Sequence, residues 1–205
     1  MNDKDITTEK KIKEVARKLF HEKGYAATRT REIAEEAGVN IALLNYYFRS
    51  KEQLFNIIML ESVQEIFTLL KDIIDNKSTS LIEKIELAVN KYIDILVNNP
   101  HLPLFVLSEI RNNTENFAKK IKIPRNMLYQ SYMFEQMQEQ IAKHNLKTNP
   151  LHLMMNIVSM SIMPIAAKNL LGYLYSMNDE AYIEFVEERR EMIPIWMKSI
   201  LKIED

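Results

Sequence analysis

The sequence predicts an all-α protein of about nine helices, and three observations point there. Only 3 Gly and 6 Pro punctuate 205 residues, too few turn-formers for a sheet of short strands. Hydrophobic residues make up 47% of the chain, enough for a real core, and they recur every three or four positions. Ser, Thr and Asn stand where such runs begin, as helix caps do.

The first helix is expected to open at Thr7 or Thr8 and to bury Ile12, Val15, Ala16, Leu19 and Phe20, ending at Gly24. A short helix from Thr28 or Thr30 buries Ile33, Ala34 and Ala37 and breaks at Gly38. A third runs from Asn40 to Phe48, and Ser50 with Gln53 forms the capping pair of a fourth. Two short helices flanking one glycine turn, on top of a preceding helix, make a helix-turn-helix unit.

Beyond Lys51 the helices lengthen. Leu54, Ile58, Ser62, Ile66, Leu70 and Ile73 form one stripe, and Ser80 with Glu83 opens a helix to about Val97. A short helix is expected over Leu104–Arg111, with residues 112–123 unassigned. Pro124 is expected to start a helix through His144. Asn149-Pro150 caps one that reaches Tyr175 with a kink at Pro164, and Asn178-Asp179-Glu180 starts the last, to about Lys202, which Pro194 should bend.

Composition excludes several classes. Without cysteine there is no disulfide framework and no thiolate metal site, which fits a reducing compartment. The start "MNDKDITTEKK" is too polar for a secretory signal. Thr148–Ala167 lacks Lys, Arg, Asp and Glu, but carries Asn149, His152, Asn156, Ser159, Ser161 and two prolines, so a buried helix is expected there and not a membrane span. The four histidines show no metal-ligand spacing, and there is no Gly-rich phosphate loop, so neither a catalytic site, a metal nor a cofactor is expected. Net charge is +2 over residues 1–56 (11 basic, 9 acidic) and −3 over the rest (16 and 19), too even to identify a polyanion partner.

The stretch "AGVNIALLNYYFRSKEQL" is more informative. On a helix from Asn40 to Phe48, Leu44 and Phe48 share the core side with Val39. Ile41, Ala42, Asn45 and the tyrosines are left outside, where a solvated helix would carry Glu, Lys or Gln. A DNA major groove suits these residue types: aliphatic groups meet thymine methyls, Asn bonds adenine, and Tyr, Arg and Lys reach phosphates. The alternative is a helical protein–protein interaction module without DNA binding, whose tyrosine face meets another protein; a steep salt dependence of duplex binding separates the two.

The run "TRTREIAEEAGVNIALLNYYFRSKEQLF", preceded by "IKEVARKLFHEKGYAATR", resembles the N-terminal segment of the TetR family of bacterial transcription regulators. The resemblance implies a DNA-binding domain over residues 1–53 and a helical effector-binding and dimerisation domain over 54–205. By position in the motif, Thr30, Arg31, Tyr46, Tyr47 and Lys51 resemble phosphate or groove contacts, and Asn40, Ile41, Ala42, Leu43 and Asn45 the base-facing set. The family usually has Tyr where Asn45 stands, so this position is expected to specify sequence. Often a small residue or Thr stands where Leu43 does.

The same resemblance implies a cytoplasmic homodimer on a near-palindromic double-stranded operator, repressing by default and released by a small-molecule effector. Its ligand pocket is sought among Met-rich helices, because methionine adapts to varied shapes: Met127, Met133, Met137, Met155 and Met163, with Tyr92, Phe105, Tyr132, Gln136, Asn156 and Ser159. The dimer interface is sought among Leu170, Tyr173, Leu174, Tyr182, Phe185, Val186, Met192, Ile193 and Trp196. The long helix from Lys51 to Ile74 is expected to carry an effector's influence to the DNA-binding unit.

Overall fold

The computed structural model describes residues 3–204, with side chains from Thr7 onward, and within them it is helical without strands. Ten helices follow one another: α1 (Asp3–Ala27), α2 (Thr30–Glu36), α3 (Ile41–Phe48), α4 (Lys51–Asp75), α5 (Leu81–Asn98), α6 (Leu102–Lys120), α7 (Tyr132–Lys143), α8 (Pro150–Ala166), α9 (Lys168–Tyr175) and α10 (Asp179–Leu201). They gather into two compact units, one through Gln64 and one from Glu65.

In the first unit Ile12, Ala16, Leu19 and Phe20 of α1 are buried together with Ile33, Ala34, Ala37, Leu44, Phe48, Leu54 and Ile58. Gly24 interrupts α1 with φ 76° and ψ 165°, a conformation that costs glycine little, and so aims the chain toward α2. Phe20 meets Phe55 edge to face at 5.1 Å. On the far flank Lys13 donates to Glu61 at 2.7 Å and Arg17 donates to Ser62 at 2.6 Å, clasping α1 to α4. Burial pulls the Lys13 ammonium down, but Glu61 beside it outweighs that and holds it above its ordinary value.

The second unit is a bundle in which α5, α8 and α10 pack on one another and α7 closes one side. Its core holds Ile85, Val89 and Ile93 of α5, Met133 and Met137 of α7, Leu153, Met154 and Ile157 of α8, and Val186, Ile193 and Met197 of α10. The cap signals were sound guides: Ser80 and Glu83 form a reciprocal capping box, and Asn149 and Asn178 each accept a backbone N–H of the helix they open.

α1 begins at Asp3, ahead of the expected Thr7 or Thr8, and continues past Gly24 to Ala27, and three elements of the second unit also differ from the sequence expectation, each for a local reason. Residues 112–120 continue α6 after a break at Asn113 (φ −162°, ψ 86°), whose Oδ1 accepts from Asn116 N at 2.9 Å and so caps the second half. Pro124 opens no helix, because Asn126 turns left-handed (φ 64°) and Ser131 takes the cap, its Oγ accepting from Phe134 N. The helix expected to reach Tyr175 is two, α8 and α9, bent by 68° at Ala167, beyond Pro164.

No single helix among the described residues is long and apolar enough to cross a membrane; only α8 and α9 taken as one bent pair approach it. α8 buries Leu153, Met154, Ile157, Ser161 and Ile165 on one side of the second unit.

Candidate nucleic-acid interface

The helix-turn-helix unit is built by backbone hydrogen bonds around one glycine. At the end of α2, Gly38 N donates to Glu35 O at 3.0 Å and Val39 N to Ala34 O at 2.9 Å. Gly38 itself sits at φ +66°, where a Cβ would be strained and would lie 3.4 Å from the Lys11 Nζ. Asn40 then caps α3, its Oδ1 accepting from Leu43 N at 2.7 Å. Leu44 and Phe48 anchor the inner side of α3 in the core.

Ile41 (42% exposed), Ala42, Asn45 and Tyr46 (80% exposed) face outward. Leu43 and Tyr47 are half-buried, and the Tyr47 ring lies edge to face with Tyr46 at 5.4 Å. No charged residue stands on Ile41–Phe48. The sequence-predicted face is therefore assembled on one side of one helix, with two qualifications. Asn40 spends its side-chain oxygen on the cap. Lys51 donates to Tyr25 O at 2.8 Å and Thr28 O at 2.9 Å and lies 4.3 Å from the Tyr25 ring centroid, so two of its three N–H groups tie the start of α4 to the α1–α2 link.

Thr30 is half-buried in the first turn of α2, and Arg31 is exposed, paired with Glu35 at 2.9 Å. That pair lies in water and yields readily to a phosphate. Sequence reasoning passed over the exposed Arg29, at the cap position of α2, and Arg49, at the cap position that ends α3. Both stand beside the predicted face, in "ATRTRE" and "YFRS". It also treated Thr28 as a possible helix start. Thr28 is fully buried, donating from Oγ1 to Leu19 O at 3.1 Å and Gly24 O at 2.8 Å, and so pins the bend between α1 and α2.

The second unit does not bring the eleven candidate ligand residues together. Met133 and Met137 are sealed in the core, against which Met127 packs half-buried. Met155, Asn156, Ser159 and Met163 face away from it on the outer side of α8. Phe105 packs within α6, 6.5 Å from Phe117. Burial pushes the Tyr92 phenol up to about 12.

Tyr132 and Gln136 instead surround Lys84, which sequence reasoning missed and which is fully buried. The Lys84 ammonium donates to Thr79 O at 2.6 Å and Thr79 Oγ1 at 2.9 Å and lies 4.9 Å from the Tyr132 ring centroid. Burial pulls it below its ordinary value. Gln136 donates to the same Thr79 carbonyl at 3.1 Å, while its own Oε1 is buried without a hydrogen bond. An open cleft of about 710 Å³ does lie between α5 and α10, but Glu86, Asn90, Glu184, Glu187, Glu188, Arg190 and Glu191 are among its walls and none of the eleven is.

The predicted dimer residues divide. Val186 (3% exposed) and Ile193 (0%) are sealed in the chain's own core, so they offer nothing to a second chain; a residue's place on the last helix does not reveal which side of it the bundle covers. Leu170, Tyr173, Leu174 and Met192 are exposed. Tyr182, Phe185 and Trp196 are half-buried, the last two under the Arg189 guanidinium, which donates to Met160 O at 2.9 Å.

Comparison with known proteins agrees with this geometry. Residues 12–58, most of the described first unit, match the family model for bacterial regulatory proteins of the tetR family. The chain is 29% identical over 206 residues to the "Probable HTH-type transcriptional regulator YttP" of Bacillus subtilis (strain 168), covering 98% of this chain and 97% of that one. It is 26% identical over 110 residues to the "Fatty acid metabolism regulator protein" of the same organism, 54% of this chain and 56% of that protein. Among solved structures, the fatty acid degradation regulator FadR from Bacillus halodurans shares the fold with a TM-score of 0.59 at 18% identity, over 94% of this chain and 95% of that one. The protein-interaction alternative draws no support from these relatives. The helix-turn-helix unit thus matches the family model for bacterial regulatory proteins of the tetR family, and the whole chain is similar to a relative described as a probable HTH-type transcriptional regulator.

Proposed function

We propose that the chain is a homodimeric, cytoplasmic repressor that binds a near-palindromic operator through α3 and is released by a small, mostly apolar ligand. The observation that carries the DNA-binding part is the uncharged, exposed face of Ile41, Ala42, Asn45 and Tyr46 on an N-capped helix, bordered by the exposed Arg29, Arg31 and Arg49. Such a face is poorly solvated but matches base edges, while the arginines fix register on phosphates. Residues 1–53 are the DNA-binding domain in this reading, and 54–205 the effector-binding and dimerising one.

Dimerisation rests on the outer sides of α8 and α9. Met155, Met163, Leu170, Tyr173 and Leu174 are all exposed there, a series too apolar for water and available to a twin chain. Two recognition helices held about 34–36 Å apart read half-sites one DNA turn apart. A ligand then switches the regulator only if it binds one head spacing better than the other, since equal affinity shifts nothing.

Selection of bound sequences from random duplex DNA by the purified full-length protein tests the reading. Two inverted half-sites about 10 base pairs apart, centre to centre, or a multiple of that, are expected. Failure to enrich any duplex at low salt contradicts it. Promoters of fatty acid metabolism genes are the first natural sequences to examine, given the name of one relative.

A further inference from the structure

The outward face of α3 contains fewer groups able to read a base than its sequence suggests. Asn40 is removed from the set, because its Oδ1 already accepts from Leu43 N at 2.7 Å. Leu44 and Phe48 are in the core, and Leu43 is half-buried. What remains outside is Ile41, Ala42, Asn45 and Tyr46, and positions 41, 42 and 45 adjoin on one side of the helix.

Base-edge chemistry narrows the target. Guanine is read by Arg or Lys, which bond O6 and N7 together; cytosine is read by Asp or Glu accepting from N4; adenine is read by Asn or Gln bonding N6 and N7. α3 has no Arg, Lys, Asp, Glu or Gln, and Asn45 is its exposed amide. The cations that follow α3 in sequence are poor readers of the same base steps, and Arg29 and Arg31 belong to the start of α2. Lys51 is held by two backbone carbonyls, and Arg49 stands past the last turn of α3. Thymine differs from every other base in the groove by its C5 methyl, and Ile41 and Ala42 are the aliphatic groups to meet it.

We propose that α3 reads a half-site whose core is A·T pairs, with Asn45 bonding one adenine and Ile41 and Ala42 packed on neighbouring thymine methyls. This rests on the reading of the chain as a DNA-binding regulator. It goes beyond that reading in naming the base pairs and the residue that selects each.

The experiment uses the full-length protein and its best selected duplex in equilibrium titrations at fixed salt. Replacing the core thymines by uracil removes only the methyl groups and is expected to weaken binding several-fold. Replacing the core adenine by 7-deazaadenine removes N7 and is expected to weaken it about ten-fold. Asn45→Ala is expected to shrink that second difference to less than about two-fold while the uracil effect persists. A fold check by circular dichroism accompanies the variant, and Asn45→Gln, which keeps the amide, is expected to retain part of the discrimination.

A selected core of G·C pairs, or an Asn45→Ala loss that is equal for adenine and 7-deazaadenine duplexes, overturns the proposal and leaves the regulator reading standing. Failure to bind any duplex overturns both.

Discussion

The outer side of α3 presents Ile41, Ala42, Asn45 and Tyr46, with no charge among them, whereas one exposed side of α10 sets Glu184, Glu187, Glu188 and Glu191 around Ile195. Beneath them the two helices are alike: Leu44 and Phe48 anchor the one in its unit's core, and Val186, Ile193 and Met197 the other. The α10 glutamates are at rest in water, and Glu187 also accepts from Arg190 at 2.6 Å. The α3 face gains nothing from water except at Asn45 and the Tyr46 hydroxyl. Burial on the inside therefore says only that a helix is folded, and the material on the outside says whether it is finished. By that test α8, with Met155, Asn156, Ser159 and Met163 exposed, resembles α3 more than α10.

The largest expected effects test the shared inner anchoring. Leu44→Ala and Ile193→Ala each remove a fully buried side chain and should cost about 2–5 kcal/mol, read by urea denaturation. If Ile193 is core and not interface, its loss is the same at every protein concentration. A dependence on concentration would return it to a subunit contact.

Thr28→Val is next. It keeps the shape but removes the hydroxyl that serves Leu19 O and Gly24 O, and should cost about 1–2 kcal/mol in the first unit. Gly38→Ala, at φ +66°, should cost about 1–2 kcal/mol, because a side chain there meets its own backbone. A neutral result for Thr28→Val would mean that backbone donors, such as the Thr28 N–H on Gly24 O at 3.3 Å, already satisfy the carbonyls.

The smallest effect is a pH dependence in the second unit. Burial holds Lys84 below its ordinary 10.5, so the unfolded chain takes up its proton more readily than the folded one. The penalty is fully present at neutral pH and is relieved as pH rises through the folded value toward 10.5. Denaturation midpoints should show a gain over that alkaline window that Lys84→Met lacks.

What the sequence disclosed follows the same division. In the first unit the signals are local: Gly24, Gly38, Asn40 and Ser50 each sit where backbone geometry needs them, so the limits of α3, the start of α4 and the outward face of α3 were legible, while α1 starts earlier and runs past Gly24. The structural role of Lys51 was not legible because its partners, Tyr25 O and Thr28 O, lie more than twenty positions away in sequence. In the second unit local caps again worked at Ser80, Asn149 and Asn178, but which side of α8 or α10 the bundle covers is a long-range matter. Val186 and Ile193 were thus assigned outward, and Met133 and Met137 to a pocket lining, when all four are core. Lys84 was invisible for the same reason: a lysine reads as surface until Thr79, Tyr132 and Gln136 close around it.

The most direct test of the central claim places one charge on the α3 face. Ala42→Glu alters an exposed helical position and should leave the melting temperature and oligomeric state unchanged. A carboxylate there would lie among base edges and phosphates and should weaken binding to the selected duplex about 100-fold. If the folded Ala42→Glu protein binds that duplex as tightly as the unaltered chain, α3 is not the element that enters the groove.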